Sequence, residues 1–145
     1  MNNPATETLS VVVERELPYP PERIWRALTQ PHLIEEWLMK NDFKPVLGHG
    51  FKLRADFLPN GELNCEVLGL EPNKTLSYSW GSMSDAADFN LGSVVTFTLT
   101  PTNTGTHLRM EQTGFRPDQR QAYQGAKIGW PKFLANLERV LSRID

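Results

Sequence analysis

The end of the chain carries its longest helical pattern of apolar residues. From about Asp118 to Ile144, apolar positions recur every three or four residues, which predicts one amphipathic helix with a continuous buried stripe. The stripe consists of Tyr123, Ala126, Trp130, Phe133, Leu134, Leu137, Val140, Leu141 and Ile144. Asp118 is the predicted N-cap, and Pro131 predicts a kink near Gly129 because proline lacks the backbone N–H that a helix interior uses. A stripe of this length needs a partner surface of similar length.

Upstream of this helix, apolar and polar residues alternate, which is typical of strands with one buried and one solvated face. A first strand is predicted at Leu9–Leu17, followed by two short helices that open on prolines, at 20–29 and from residue 31. The further predicted strands are Phe51–Phe57, Leu63–Leu70, Leu76–Trp80, Val95–Leu99 and Leu108–Gln112. The alternation slips around Gly69, which indicates a β-bulge. In the polar loop 81–92, Phe89 is expected to be buried.

Consecutive strands joined by short turns predict an antiparallel meander, with the first strand at one edge. The apolar side of that sheet needs a cover, and the C-terminal stripe is the long apolar face that can provide it. We therefore expect an α+β fold in which a curved antiparallel sheet of about six strands wraps around the C-terminal helix. A cavity is expected where the kinked helix separates from the sheet. Gly125 and Gly129 are interpreted as close-packing glycines.

Composition narrows the classes of function. A chain of 145 residues with a hydrophobic share of 39% and a charged share of 22% is typical of one globular domain, here 1–145 with a flexible tail at 1–8. A net charge of −2 without a basic block argues against nucleic acid or an anionic membrane as a partner. Cys65 is the single cysteine, so no internal disulfide can form. Because there is no signal-peptide pattern and no run that approaches a membrane span, we expect a cytoplasmic protein.

Several short motifs, taken in order, resemble one known family. They are Pro20–Thr29 with Pro31 and Trp37; Val67-Leu68 with Glu71-Pro72 and Leu76–Trp80; Val95–Phe97 with Leu99 and Pro101; Gly105-Thr106 with Leu108; Gly114-Phe115; and Gly129-Trp130 with Leu134, Leu137 and Leu141. This set resembles the SRPBCC or START-like superfamily, and within it the family of activator of heat-shock protein 90 ATPase homologue-like proteins. Gly48-His49-Gly50 departs from the pattern, because many relatives carry adjacent glycines there.

The resemblance implies the helix-grip fold, also called START-like or Bet v 1-like. Members of the superfamily bind lipids, hormones or polyketides in a cavity under the helix, and some cyclise or hydrolyse such ligands. The implied function is binding of a small hydrophobic molecule: a lipid, a polyketide or an aromatic metabolite. An enzyme of the cyclase or hydrolase kind is one alternative. A chaperone-regulator-like contact with heat-shock protein 90 is another.

Inward-facing aromatic and apolar side chains are the candidates for the wall of such a cavity. The predicted ligand-binding residues are Trp37, Tyr78, Trp80, Phe97, Met110, Trp130, Phe133 and Leu134. Tryptophan suits this role because it combines a wide flat surface with one N–H donor. Trp37, Trp80 and Trp130 are expected to crowd near the predicted kink. For each of these residues the alternative is plain hydrophobic core.

Groups for acid–base or metal chemistry are sparse on the predicted inward faces. His32, His49 and His107 are far apart in sequence, and no ligand pattern surrounds them, so neither a metal site nor a cofactor is predicted. An enzyme would need an inward tyrosine, Tyr78 or Tyr123, or a loop residue as its acid or base. The loop candidates are Asp42, His49, Asp85 and Asp88.

Two polar residues fall in phase with apolar strand positions. Arg15 follows Val11 and Val13, and Gln112 follows Leu108 and Met110. Burying a lone guanidinium is costly, so Arg15 is expected to reach the rim of the sheet, a carboxylate or a ligand anion.

Overall fold

Seven strands and three α-helices build the described part of the structure, a computed structural model that describes residues 9–81 and 93–144. The helices are α1 (Pro21–Thr29), α2 (Pro31–Trp37) and α3 (Arg120–Arg143). The strands are β1 (Leu9–Leu17), β2 (Lys40–Asn41), β3 (Gly50–Arg54), β4 (Glu62–Glu71), β5 (Thr75–Trp80), β6 (Ser93–Pro101) and β7 (Thr106–Phe115). The predicted tail at 1–8 and the predicted burial of Phe89 lie outside the described residues.

The strands of the described ranges form one antiparallel sheet in the order β1-β7-β6-β5-β4-β3-β2. Strands β2 to β7 follow one another as a meander, and β1 pairs with β7 at one edge. The expected α+β fold, a curved antiparallel sheet around a long C-terminal helix with two short helices after the first strand, is confirmed. The sheet has seven strands rather than about six, because β2 is also paired. A strand of two residues is too short to leave an alternating signal in the sequence.

The apolar side of the sheet follows the alternation along each strand. In β5, Leu76, Tyr78 and Trp80 are buried, and the residues between them are partly exposed. The predicted bulge in β4 is confirmed: Val67 pairs with Tyr78 and Gly69 with Ser77, so Leu68 has no partner on β5. Leu68 points outward and is 47% exposed. The bulge bends β4 locally, as an extra residue in one strand does.

The predicted strand Phe51–Phe57 was too long. β3 ends at Arg54, and the side chain of Phe57 is 68% exposed instead of lying on the buried face. The chain turns here, because the Leu58 N–H donates to the Ala55 carbonyl at 3.1 Å and the Gly61 N–H donates to the Leu58 carbonyl at 2.9 Å. These turn bonds stop the alternation after Arg54.

Helix α3 crosses the apolar side of the sheet and contacts β1, β7, α1 and α2. At 24 residues it is about 36 Å long. It runs through Pro131 as one helix, and the kink there stays a prediction. The predicted N-cap was wrong: Gln119 precedes the first helical residue, and Asp118 accepts a hydrogen bond from Arg116 Nε at 3.1 Å instead. A carboxylate held by its neighbour in this way does not reach the free N–H groups of the first turn.

Candidate ligand-binding cavity

A cavity of about 820 Å³ lies between the first half of α3 and the sheet. Its wall on the sheet side is formed at the end of β5 and towards the end of β7, and the segment after α2 and the β3–β4 turn complete it. The lining residues are Met39, Phe57, Leu58, Trp80, Gln112, Phe115, Gln121, Ala122, Gly125, Ala126, Gly129, Trp130, Lys132 and Phe133. Most of this surface is apolar or aromatic, as is usual for sites that bind small organic molecules.

The α3 side of the cavity is built from small residues. Ala122, Gly125, Ala126 and Gly129 follow one another at helical spacing along the wall. A Cβ atom added to Gly125 would meet nothing within 4 Å, so this glycine is not a close-packing residue and that interpretation was wrong. At Gly129 the nearest atom to such a Cβ would be Phe133 Cε2, at 3.7 Å. The cavity is therefore open on this side because these helix positions carry a methyl group or no side chain.

Aromatic rings of α3 and β5 form another part of the wall. The rings of Trp80 and Trp130 lie 5.5 Å apart between centroids at an interplanar angle of 54°. Phe133 packs edge-on against Trp130 at 5.4 Å, and Phe97 does so from the core side at 5.9 Å. Such offset and edge contacts add about 0.5–1.5 kcal/mol each beyond the area they bury. The indole of Trp130 is thus held between the core and the cavity.

A buried chain of hydrogen bonds fixes this wall. Trp130 Nε1 donates to Gln112 Oε1 at 2.7 Å, and Gln112 Nε2 donates to Ser93 Oγ at 3.1 Å. Ser93 Oγ then donates to the Trp80 carbonyl at 3.3 Å. An indole N–H can only donate, so the oxygen of the Gln112 amide must face it. Gln112 is only 1% exposed, and this chain explains how an in-phase polar residue is tolerated on the apolar face.

Three of the eight predicted ligand-binding residues line the cavity: Trp80, Trp130 and Phe133. The other five, Trp37, Tyr78, Phe97, Met110 and Leu134, are buried in the packed core and are not among the lining residues. Trp37 donates its indole N–H to the Ala27 carbonyl at 2.8 Å, and its ring packs edge-on against Phe97. Its one donor therefore already serves the contact between α2 and α1. The binding role of all eight residues stays a prediction.

Tyr78, Tyr123 and Asp42, three of the candidates for acid–base chemistry, do not line the cavity. Burial raises the pKa of the Tyr78 phenol, and the nearby Cys65 raises it further, so Tyr78 stays neutral in the core. Tyr123 packs on Phe115 at 5.6 Å and does not line the cavity. Asp42 accepts a hydrogen bond from the Lys52 backbone N–H at 2.6 Å and is not among the lining residues.

The remaining loop candidates do not join them. His49 Nε2 lies 3.3 Å from the Asp42 carbonyl oxygen, and Asp85 and Asp88 lie outside the described residues. No cluster of three or more His, Cys, Asp or Glu side chains within residues 9–81 and 93–144 is placed to hold a metal ion. No helix of these ranges has the length and apolarity that crossing a membrane requires.

Arg15 reaches a carboxylate, one of its expected destinations. Its Nε lies 3.8 Å from Glu138 Oε2 on α3, and both side chains are partly exposed. This contact ties β1 to the second half of the helix at the rim, where a charge keeps much of its hydration.

Several lining residues were not anticipated from the sequence. Phe57 was predicted on the buried face at the end of a strand, and Gln121 and Lys132 do not belong to the predicted apolar stripe of the helix. Glycines such as Gly125 carry no hydrophobic signal, so a stripe of apolar residues cannot reveal the space beside them. Turn geometry and missing side chains, rather than hydrophobicity, place these residues at the site.

Comparisons with known proteins agree with this architecture. The family described as Activator of Hsp90 ATPase homolog 1-like protein matches residues 18–142. The chain is similar to protein MLL2253 from Mesorhizobium loti, with 66% identity and a TM-score of 0.87 over 94% of this chain and 99% of that one. No curated protein matches the chain.

Two more distant structures show the same fold. The Aha1 dimer from Colwellia psychrerythraea has a TM-score of 0.77 at 21% identity, over 93% of this chain and 97% of that one. DynU16, from the dynemicin biosynthetic locus, has a TM-score of 0.76 at 24% identity, over 92% of this chain and 47% of that one. The SRPBCC-like fold implied by the sequence motifs is thereby confirmed. With most of its length matched, the chain belongs to the family of Activator of Hsp90 ATPase homolog 1-like proteins.

Proposed function

We propose that this protein binds a small hydrophobic molecule in the cavity between α3 and the sheet. The observation that carries the proposal is the cavity itself, about 820 Å³ in volume and walled by Trp80, Trp130 and Phe133. This volume falls within the range of roughly 300–1,000 Å³ that is usual for sites of small organic ligands. Lipids, polyketides and aromatic metabolites are the classes that suit such a wall.

The composition of the helix supports this function over simple imperfect packing. Gly125 and Gly129 each weaken a helix interior by about 1 kcal/mol relative to alanine. At Gly125 an alanine would meet no neighbour, so packing does not require glycine there. A helix that carries this cost beside an open space is better suited to keeping the space than to stabilising the fold.

The rigid indole wall is a second support. Trp130 is held by its hydrogen bond to Gln112 and by rings on both sides, so its face is oriented before any ligand arrives. A pre-organised apolar surface loses little conformational entropy when a ligand binds.

The chemistry of the wall favours binding over catalysis. Among the described lining residues there is no His, Cys, Asp, Glu or Tyr. A general acid or base has to lie within hydrogen-bonding reach of the substrate, directly or through one water. Lys132 is the titratable side chain among the described lining residues, so a cyclase or hydrolase that uses a His, Asp, Glu or Tyr would have to bring it from another part of the molecule.

Tryptophan fluorescence provides a direct test. A library of fatty acids, polyketide-like aromatics and neutral lipids is titrated while emission and melting temperature are recorded. We expect members of one class to quench or shift the emission, because Trp80 and Trp130 face the cavity. If the whole library leaves both readouts unchanged, the proposal is wrong.

A matched pair of variants tests the location. Gly125→Phe places a ring in the cavity and should weaken binding by roughly tenfold or more, about 1.4 kcal/mol. Gln124→Phe places the same ring on the adjacent, exposed position of α3 and should leave binding unchanged. Equal binding by both variants would show that the ligand occupies another site.

Contact with heat-shock protein 90 is a second candidate function, favoured by the family match over residues 18–142. Retention of the purified protein on immobilised heat-shock protein 90 would support it, and absence of retention would remove it. Gly125→Phe serves as a control, because a surface contact does not need an open cavity. This variant should therefore be retained as well as the wild type.

A further inference from the structure

The charges around the cavity are one-sided. Lys132 is the charged member of the lining within the described part of the chain, and no carboxylate accompanies it there. Lys132 is solvent-exposed while lining the cavity, so it stands at the mouth rather than in the depth. Phe57, another lining residue, is 68% exposed.

Carboxylates near α3 already have partners. Glu138 pairs with Arg15 at 3.8 Å, Glu36 with Arg143 at 2.7 Å, and Asp118 with Arg116 at 3.1 Å. Among the described residues, Lys132 forms neither an ion pair nor a side-chain hydrogen bond. Its ammonium group is therefore available to an incoming anion.

The depth of the cavity is unsuited to a charged group. The Trp130 N–H is used by Gln112, and the Gln112 amide is bonded to Ser93 as well. Burying an ionised group among these rings without a free partner would be costly. A charged ligand would thus leave its charge at the mouth and place its apolar part inside.

The cavity is also long. Its lining on α3 runs from Gln121 to Phe133, which corresponds to about 18 Å at 1.5 Å per residue. An extended apolar body can follow this wall past Ala122 and Gly125 while its end stays near Lys132.

From these observations we infer that the ligand is an organic acid: an elongated apolar body with a single carboxylate that pairs with Lys132 at the cavity mouth. This inference rests on the proposed binding function and specifies its ligand class. A partly exposed ion pair of this kind discriminates modestly between ligands, by about two- to fivefold in affinity. Its strength falls as salt screens it.

Three probes with the same ten-carbon chain test the inference: decanoate, decanol and decylammonium, each titrated calorimetrically at concentrations at which it does not form micelles. The wild type should bind decanoate about two- to fivefold more tightly than decanol, and decylammonium least tightly. Lys132→Gln should reduce decanoate binding to the level of decanol. Lys132→Glu should reverse the order of decanoate and decylammonium. The preference for decanoate should shrink between about 0.1 M and about 1 M salt.

Lys127→Gln is the matched control, because Lys127 is an exposed lysine of the same helix whose ammonium lies over the Tyr123 ring, 5.4 Å from its centroid. It should leave all three affinities unchanged. Equal binding of decanoate and decanol by the wild type, or a decanoate preference that survives in Lys132→Gln, would overturn the inference and leave the cavity proposal standing. If the wild type binds neutral library members but not decanoate, the inference is likewise overturned and the cavity proposal stands. Binding of decanoate that Gly125→Phe leaves intact would instead contradict the cavity proposal itself.

Discussion

The two halves of α3 face the same sheet but pack in opposite ways. In the second half, Leu134, Leu137, Val140 and Leu141 are fully buried, and Glu36 of α2 and Arg15 of β1 hold that end through ion pairs with the helix. In the first half, alanines and glycines occupy the equivalent face, and a cavity of about 820 Å³ remains. One amphipathic helix thus serves as core at one end and as the wall of a site at the other.

The difference shows that side-chain volume, rather than hydrophobicity, separates core from cavity in this fold. Both halves present apolar surface to the sheet, so both satisfy the requirement that a helix bury one stripe. Branched side chains fill the space in the second half. Small residues on α3 leave it open in the first half.

The largest expected effect is in the packed half. Leu137→Ala should lower the free energy of unfolding by about 2–5 kcal/mol, because it removes most of a fully buried side chain and leaves a cavity in its place. Urea denaturation measures the loss. Phe133→Ala, the matched change at the cavity wall, should cost less than Leu137→Ala, because one side of that ring already faces open space. Equal losses would mean that the two halves are packed alike.

The second-largest loss of stability is expected when the buried hydrogen bonds that hold Trp130 at the cavity wall are broken. Gln112→Leu should lower the free energy of unfolding by about 1–3 kcal/mol, because the buried Trp130 N–H loses its acceptor. In a double-mutant cycle, Trp130→Phe should cost less in the Gln112→Leu background than in the wild type. Strictly additive losses would show that the bond contributes nothing to the wall.

At the cavity wall of α3, one substitution is expected to stabilise the fold. Gly125→Ala should raise the free energy of unfolding by about 0.5–1 kcal/mol, because alanine favours the helix and its Cβ meets no neighbour. Ala122→Gly, the reverse change one turn earlier, should lower it by a similar amount. Destabilisation by Gly125→Ala would indicate that the space beside it is filled in solution.

The smallest effect lies on the outer face of the sheet, away from both halves. Hydrogen bonds that the His107 ring donates to Glu16 and then to Glu14 raise the pKa of His107 above 6.5. The protonated histidine therefore stabilises the fold fully below 6.5, and this contribution is lost as the pH rises through the raised pKa. The difference in denaturation midpoint between wild type and His107→Gln should be larger at about pH 5.5 than at about pH 9.

The two carboxylates provide the control for this pH dependence. A variant with both Glu14→Gln and Glu16→Gln should lose the same pH-dependent difference, because it removes the two negative charges that favour protonated His107. A difference that stays constant with pH would show that the histidine gains nothing from its neighbours.

Most of the fold could be predicted because its signals are periodic. β5 and β6 show strict alternation, and the stripe from Trp130 to Leu141 marks the helix that covers the sheet. The errors in the bounds of α3 and β3 are at places where the pattern stops. Asp118 has the right side chain for an N-cap but is held by Arg116, and Phe57 continues an alternation that the backbone has already left.

The candidate site was harder to predict, because a cavity is defined by what is missing. Trp80, Trp130 and Phe133 could be identified as wall residues from their positions on inward faces. Whether an inward ring meets another side chain or open space depends on residues far away in sequence. Tyr78 and Phe97 have the same local pattern as Trp80, but Phe51 and Trp37 pack against them.

The close approach of Trp80 and Trp130 also has an optical consequence. Two indoles whose centroids lie 5.5 Å apart and whose planes are tilted by 54° are near enough for their electronic transitions to couple. Such a pair gives a split circular-dichroism signal whose sign and size depend on the angle between the rings. A ligand that packs against these indoles changes the surroundings of the coupled transitions, so the split signal would report whether the cavity is filled.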